Sequence, residues 1–283
     1  VNMACFKDEN IGMAYGMGLT AEKVAQQWKI TREAQDQFAL DSHLKAIAAQ
    51  EAGYFEAETT SVEIVEKFAN LATGQIDVKT RTVNRDEGAR ADSSLATLGK
   101  LKPVFANKGS VTAGNSSQVT DGAAWLLLAS EAAVVEHSLK PIGRIVDTQW
   151  AALDPAVMGL GPVHAATPIL QRHGLGLNDV DLWEINEAFA AQVLGCVRAW
   201  QDDGYCQTHF GQGGWGILDE NRLNVEGGAI AMGHPVGASG ARIVLHVLQM
   251  LRRRGLRRGM AAICIGGGQG GAMLVETLDG DIR

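Results

Sequence analysis

Residues 224–240 read Asn224-Val225-Glu226-Gly227-Gly228-Ala229-Ile230-Ala231-Met232-Gly233-His234-Pro235-Val236-Gly237-Ala238-Ser239-Gly240, and further on Cys264 opens Cys264-Ile265-Gly266-Gly267-Gly268-Gln269-Gly270. Between the two glycine-rich stretches a helical pattern runs from Ser239 to about Arg254, where Gly255 stops it. Met260 to Ile265 and Ala272 to Thr277 read as short apolar strands joined by the Gly266–Gly271 turn. A histidine between glycine and proline, and a cysteine before three glycines, are poor core fillers. Glycine strips away side chains and lets backbone N–H groups approach a ligand closely. One imidazole and one thiol beside bare backbone suit proton transfer next to an oxyanion.

Upstream, Val180 to Ile185 reads as a strand that delivers Asn186-Glu187-Ala188-Phe189 into a helix. A helix is expected near His164–His173, a strand at Ile142 to Asp147 after Pro141, and a helix from Ser130 to about Ser138. The apolar run Ala123 to Ala129 reads as a buried element. Residues 54–110 are mostly polar and irregular, with one short strand at Val62 to Val65, and their later part is basic through Arg81, Arg85, Arg90, Lys100, Lys102 and Lys108. Residues 20–52 read as two helices, the second opened by Thr31 and ended by Gly53. Alternating strands and helices without an internal repeat imply a packed, layered α/β protein.

Composition narrows the functional classes. A chain of 283 residues with 46% hydrophobic and 20% charged residues is ordinary for a globular protein. A net charge of -7 argues against a general nucleic-acid surface. The four cysteines, Cys5, Cys196, Cys206 and Cys264, are widely spaced and form no C-x-x-C pair, so a disulfide framework is not expected and a cytoplasmic setting is the default. No apolar run approaches the ~20 residues that span a bilayer. The chain opens at Val1 with Val-Asn-Met-Ala-Cys, which has no capping or strand logic of its own and suggests a preceding segment.

Asn186-Glu187-Ala188-Phe189, Gly233-His234-Pro235 and Cys264-Ile265-Gly266-Gly267-Gly268 together resemble the thiolase family. The resemblance extends through Met17-Gly18-Leu19-Thr20-Ala21-Glu22, Val111-Thr112-Ala113-Gly114-Asn115-Ser116-Ser117 and Asp121-Gly122-Ala123-Ala124, in the family's order, with a longer stretch at about 200–222. It implies a layered α/β/α/β/α fold, incomplete at the N-terminus. The expected parts are a loop domain over coenzyme A at 1–109, a returning part of the N-terminal domain at 110–140, and a C-terminal domain at 141–283. The implied reaction is acetyl-CoA + acyl-CoA = 3-oxoacyl-CoA + CoA, with coenzyme A as substrate and no metal or redox cofactor. A homodimer or homotetramer is the implied assembly.

The resemblance also implies roles. His234 activates the nucleophile and helps hold an oxyanion, where Asn186 orients a water; Cys264 gives or takes the α-carbon proton; the Gly266 N–H serves a second oxyanion site. Ser117 would contact pantetheine, Arg90 would lie beside the nucleotide, and Met17 and Phe189 would line the acyl and pantetheine channel. Gly16 stands where many members have histidine. The family's nucleophile lies at a helix start in a Cys-[Ser/Ala]-Ser-Gly type segment, which this chain lacks; Cys5, followed by Phe6-Lys7-Asp8, does not fit. The chain thus resembles the C-terminal two-thirds, without roughly 110–125 residues, about one ordinary domain. A separate fragment carrying the nucleophile is one way to complete the site.

Plainer roles remain open beside these. Asn186 caps a helix well, Cys264 suits a core, and the basic residues of 81–108 suit a solvated surface. Cys206 and His209 have metal-like spacing, but two ligands do not make a zinc site. His43, His137, His164, His173 and His246 look structural or exposed, and Arg252 to Arg254 with Arg257 and Arg258 suit a surface at a helix end. Two alternative functions stay alongside: an acetyl-CoA acetyltransferase restricted to acetoacetyl-CoA, and a non-catalytic acyl-CoA-binding protein or subunit.

Overall fold

The computed structural model describes residues 15–278. Its helices are α1 (Met17–Gln27), α2 (Arg32–Glu51), α3 (Leu95–Leu98), α4 (Glu131–Glu136), α5 (Gly161–His173), α6 (Ala190–Gln201), α7 (Asp203–Phe210), α8 (Ala229–Met232) and α9 (Ser239–Arg254). Its strands are β1 (Val62–Asn70), β2 (Gln75–Val83), β3 (Arg144–Ala152), β4 (Leu182–Ile185), β5 (Arg258–Ile265) and β6 (Gln269–Glu276). The central sheet has the order β3-β6-β5-β4; β4 and β5 are parallel and the other pairs antiparallel.

Residue pattern sets the layers. All of β4 is buried, so both its faces must be covered. Trp183 and Ile185 point into a cluster with Val163, Ile169, Val193 and Trp200, which come from α5 and α6. Leu182 packs on the opposite face against Ile243, Val247 and Leu251 of α9. Trp183 and Trp200 are fully buried and meet edge to face at 5.2 Å; truncating either to alanine should cost about 3–5 kcal/mol. Thr31 caps α2 by accepting from the Ala34 N–H. At the β5–β6 turn Gly268 has φ +83°, and a side chain there would run into Leu153 and Pro155.

Several expectations meet a different structure. The segment at 54–110 holds a full hairpin, β1 with β2, paired from Val62↔Val83 to Asn70↔Gln75. Neither of its faces is buried: Ile76 and Val78 alternate with Asp77, Lys79 and Arg81 in the strand period of two, yet both apolar side chains are exposed. The stretch at 200–222 contains α7, capped by Asp202 accepting from the Tyr205 N–H. The run Ala123 to Ala129 is not buried: it lies outside helix and strand, with Trp125 87%, Leu127 85% and Leu128 73% exposed. Among the described residues no strand pairs with it, and of its side chains only Leu126 packs against the cluster on α9.

The arginines at and beyond the end of α9 also do more than sit on a surface. Arg253 and Arg254 both donate to Oε1 of the buried Glu226. Arg258 and Arg144 hold the buried Glu276 at 2.8 Å each, on opposite carboxylate oxygens. Gln249 and Arg253 donate to the backbone carbonyls of Ala57 and Tyr54, and His246 Nδ1 lies 2.7 Å from Glu58 Oε1. The segment after α2 is thereby fastened to α9.

Cys206 donates to the Ala199 carbonyl, and His209 stacks on Tyr205, so the pair does not share a metal site. His164 Nε2 lies 2.7 Å from the Tyr205 hydroxyl. Burial, then the neighbouring His209, hold the His164 imidazole down at about 4. Above pH 6.5 the imidazole is neutral in folded and unfolded chain alike and costs nothing. Between 6.5 and about 4 the unfolded chain binds a proton that the folded chain refuses, so stability falls as pH falls. His164→Gln keeps a partner for Tyr205 and should flatten the decline of the urea midpoint over that interval; parallel curves for parent and variant would remove His164 as its cause.

Candidate active site

Parallel pairing of β4 with β5 is what gathers the chemistry. Ile185 lies level with Ala262, and the Asn186 N–H donates to the Ala262 carbonyl at 2.9 Å. Both strands therefore end at the same edge, where β4 releases Asn186 and β5 releases Cys264 into the Gly266–Gly268 turn. Phe189, just before α6, packs with Cys264 in a small cluster that also takes Ala188, Val111 and Met158.

His234 reaches this edge from the loop that follows α8. Its imidazole Nε2 is 3.4 Å from Asn186 Nδ2, and its Nδ1 is 2.7 Å from the Ser239 hydroxyl. Ser239 donates its own proton to the Pro235 carbonyl. Its oxygen then accepts from His234 Nδ1–H, which leaves the Nε2 lone pair to accept from the Asn186 amide N–H. Burial first, and then Arg242, push the His234 pKa down. A neutral imidazole with a lone pair facing the site is a ready base.

One buried carboxylate fixes the frame. Glu187 Oε2 accepts from the Ser42 hydroxyl at 2.6 Å and the Ile230 N–H at 3.2 Å, and its Oε1 accepts from Asn224 Nδ2 at 2.9 Å. Asn224 in turn exchanges two hydrogen bonds with the backbone of Ile185. Glu187 thus locks the Asn186 turn to α2 and to the loop that carries His234.

The remaining candidates fall into place unequally. Ser117 donates its backbone N–H to Ala188 at 2.9 Å, and the next residue, Gln118, accepts from the His234 N–H at 2.9 Å. Met17 covers the glycine turn: a side chain on Gly266 would sit 3.3 Å from its sulfur. Gly266 itself is exposed. Arg90 is exposed and donates its backbone N–H to His43 Nδ1 at 3.2 Å; the nearby Gly88 carbonyl accepts from Gln118 at 2.8 Å, which ties this segment to the His234 loop. Cys5 lies outside the described residues.

Cys264 departs from what its glycine neighbours suggest. Its side chain is buried, and burial pushes the thiol up to about 12. It holds its proton here, as a donor in reserve. Two clefts, of about 580 Å³ beside Trp28 and Arg198 and about 380 Å³ between Gln50 and Arg85, contain none of His234, Asn186 or Cys264.

Four neighbours of the site escaped sequence reading. Phe105 meets Phe189 edge to face at 5.9 Å and lies over Gly18, but a lone aromatic in a polar stretch carries no pattern. Gln118 acts through its backbone carbonyl on His234 and its side-chain amide on Gly88, contacts that no motif reveals. Glu187 looked like part of a motif without a task of its own. Ser239 had a signal: a hydroxyl five residues after His234, opening the next helix.

Two family models cover nearly all of this chain: "Thiolase, N-terminal domain" matches residues 5–132 and "Thiolase, C-terminal domain" matches residues 139–277. The acetyl-CoA acetyltransferase of Shinella zoogloeoides is 45% identical over 264 residues, 93% of this chain and 61% of that protein. The mitochondrial 3-ketoacyl-CoA thiolase of Rattus norvegicus is 41% identical over 261 residues, 92% of this chain and 59% of that protein. The crystal structure of the Bacillus anthracis acetyl-CoA acetyltransferase superposes with a TM-score of 0.80 at 41% identity, covering 93% of this chain and 60% of that one. That of human mitochondrial 3-ketoacyl-CoA thiolase in complex with CoA gives 0.77 at 37%, covering 97% and 61%. The chain belongs to the thiolase family, has its mixed α/β fold, and spans about 61% of the length of the relatives it matches.

A buried, protonated Cys264 has a direct consequence. Iodoacetamide at pH 8 should leave the peptide carrying Cys264 unlabelled in the folded chain and label it fully in denaturing urea, as read by mass spectrometry. Rapid labelling of the folded chain would show the sulfur open to solvent and ionised.

Proposed function

We propose that this chain supplies the acid–base and oxyanion-binding part of a thiolase-type acyltransferase, acting on acetyl-CoA + acyl-CoA = 3-oxoacyl-CoA + CoA. The observation that carries the reading is the meeting of Asn186 Nδ2, as donor, with the lone pair of His234 Nε2, at the strand edge near which Cys264 also lies. Relatives named acetyl-CoA acetyltransferase and 3-ketoacyl-CoA thiolase support it. Coenzyme A enters as a substrate, and the chemistry calls for no metal or redox cofactor.

In the thiolysis direction a cysteine thiol gives its proton to His234 and its sulfur attacks the 3-oxo carbonyl carbon. The bond between the second and third carbons breaks, and its electron pair becomes an acetyl-CoA enolate. That carbon takes the proton of the Cys264 thiol. Coenzyme A then accepts the acyl group, its thiol proton restores Cys264, and the nucleophile recovers its proton from His234. Asn186 and the Gly266 N–H are proposed to serve the oxygens that become negative. Ser117, Arg90, Met17 and Phe189 are proposed to border the coenzyme A path, Met17 and Phe189 at the site edge itself.

Cys196 and Cys206 do not serve as the nucleophile: both are buried, and burial raises both pKa values. We assign the nucleophilic sulfur to polypeptide that packs on the exposed run from Val119 to Leu128. This run passes beside the base, since a side chain on Gly122 would lie 2.7 Å from Pro235 and one on Gly233 would strike Thr120. A cover there would reach His234 from its open side. A homodimer or homotetramer fits the hairpin, whose Val65, Ile76 and Val78 are exposed on a two-stranded element that is marginal alone. No described helix is long and apolar enough to cross a membrane; free thiols at Cys196, Cys206 and Cys264 suit a cytoplasmic location.

The test uses the protein purified with whatever polypeptide accompanies it, its mass measured intact, and assays thiolysis over a series of 3-oxoacyl-CoA chain lengths. Activity confined to acetoacetyl-CoA would select the acetyltransferase. His234→Ala should cut the thiolysis rate by about 10²–10⁴ while coenzyme A affinity stays nearly unchanged. Equal loss of both would make His234 a binding residue and sink the assignment.

A further inference from the structure

Glu184 occupies the position before Ile185 on β4 and is 1% exposed, yet its buried Oε2 has no hydrogen-bond partner among the described residues. Strand alternation turns it, like Leu182, toward α9. Two polar side chains of α9 wait there one helical turn apart, Arg242 and His246, on the same helix face. Arg242 has a buried Nε and a buried Nη2 with no partner, and His246 Nε2 has none either. Glu226 closes the far side: Arg253 and Arg254 take its Oε1, while its buried Oε2 stands 3.9 Å from His246 Nε2 without a hydrogen bond. Four side chains from three segments thus carry buried, unpartnered polar atoms around the same β4–α9 interface.

Such a set is costly unless something bridges it, because each buried polar atom without a partner loses its hydration for nothing. The atoms include acceptors on the two glutamates and donors on Arg242. Among the described residues no group of side chains fits a metal ion. Water donates and accepts at once, and a buried water with two to four polar partners is an ordinary structural component. We infer that the gap between β4 and α9 is a buried water site, walled by Glu184, Arg242, His246 and Glu226, and that the water holds the Arg242 guanidinium beside the His234 imidazole.

Arg242 is then a positioning residue for the base, acting through charge. It lies one turn beyond Ser239, which holds His234 Nδ1. The other contacts of His234 are neutral: Asn186, the Ser239 hydroxyl and the Gln118 carbonyl. A fixed positive charge close by disfavours a second one on the imidazole and keeps it free to accept a proton. Glu58, Glu187 and Asp86 also bear on the cluster, Glu58 through His246, Glu187 from behind β4 and Asp86 through Arg242. Burial pushes the Glu184 carboxyl up to about 8, so at neutral pH it carries its proton and does not cancel Arg242. The purpose given to this device rests on His234 being the base of the proposed reaction; its existence does not.

Two measurements on the full chain decide it, and neither involves an acyl-CoA, so they stand apart from the fate of the acyltransferase reading. A crystal structure at high resolution should show water within hydrogen-bond distance of both Glu184 and Arg242; a direct Glu184–Arg242 pair in a closed, dry gap would overturn the site. The titration of His234 is followed by NMR on histidine-labelled protein, its signal identified with His234→Gln. Arg242→Gln should raise the His234 midpoint and Arg242→Lys should bring it back down. Glu184→Gln, which keeps the water's bonds, should leave the midpoint in place. Glu184→Leu, which expels the water and frees Arg242, should raise it. A midpoint indifferent to Arg242→Gln, or one lowered by either Glu184 variant, would show that the water does not hold the charge at His234.

Discussion

The geometry of this molecule hangs on the carboxylate of Glu187. Three donors from three distant segments converge on it: the Ser42 hydroxyl of α2, the Asn224 amide and the Ile230 N–H. Asn224 cannot turn away, because both ends of its amide are taken up by Ile185. The group is fully buried, and burial raises its pKa against the pull of Ser42 and Asn224. Its neighbour in sequence, Asn186, faces His234. Any slack at Glu187 would be transmitted to that contact, since a buried carboxylate that loses a donor leaves an unpaired group with a penalty of its own.

Around that clamp, burial sets two titrating groups in opposite directions. The same withdrawal from water that lowers His234 raises Cys264. Both are driven to their neutral forms, one an acceptor and the other a donor. Pairs of groups whose surroundings push their pKa values apart are how one site provides both a base and an acid near neutral pH. The glycines serve this arrangement through backbone. Gly268 makes the sharp turn after Cys264 at a φ of +83°, and the bareness of Gly266 lets Met17 lie over the turn.

Much of this was legible in the residues. α9 runs from Ser239 to Arg254 as its pattern requires, because its apolar face is continuous and Gly255 ends it at φ +63°. The order of motifs sufficed for the family. What the sequence hid has physical causes. The hairpin of β1 and β2 buries neither face, and the alternation in β2 rests on only two apolar residues, Ile76 and Val78, set among charged ones. The arginines of 253–258 looked like surface because their carboxylate partners, Glu226 and Glu276, are far away in sequence or across a turn. The unsatisfied polar atoms around Glu184 depend on which way β4 faces, which periodicity over four residues does not settle.

The apolar run from Val119 to Leu128 shows the limit of reading burial from composition. Hydrophobicity states what a segment would gain from cover, about 25 cal/mol for each Å² removed from water. It does not state what provides that cover. Trp125 and Leu127 stand mostly in solvent here, while Gly122 and Thr120 of the same stretch lie tight against Pro235 and Gly233. Large apolar side chains rarely stay exposed together without an occupant. The segment is thus pinned beside His234 through Thr120 and Gly122 and touches the α9 cluster through Leu126, while its largest side chains face outward.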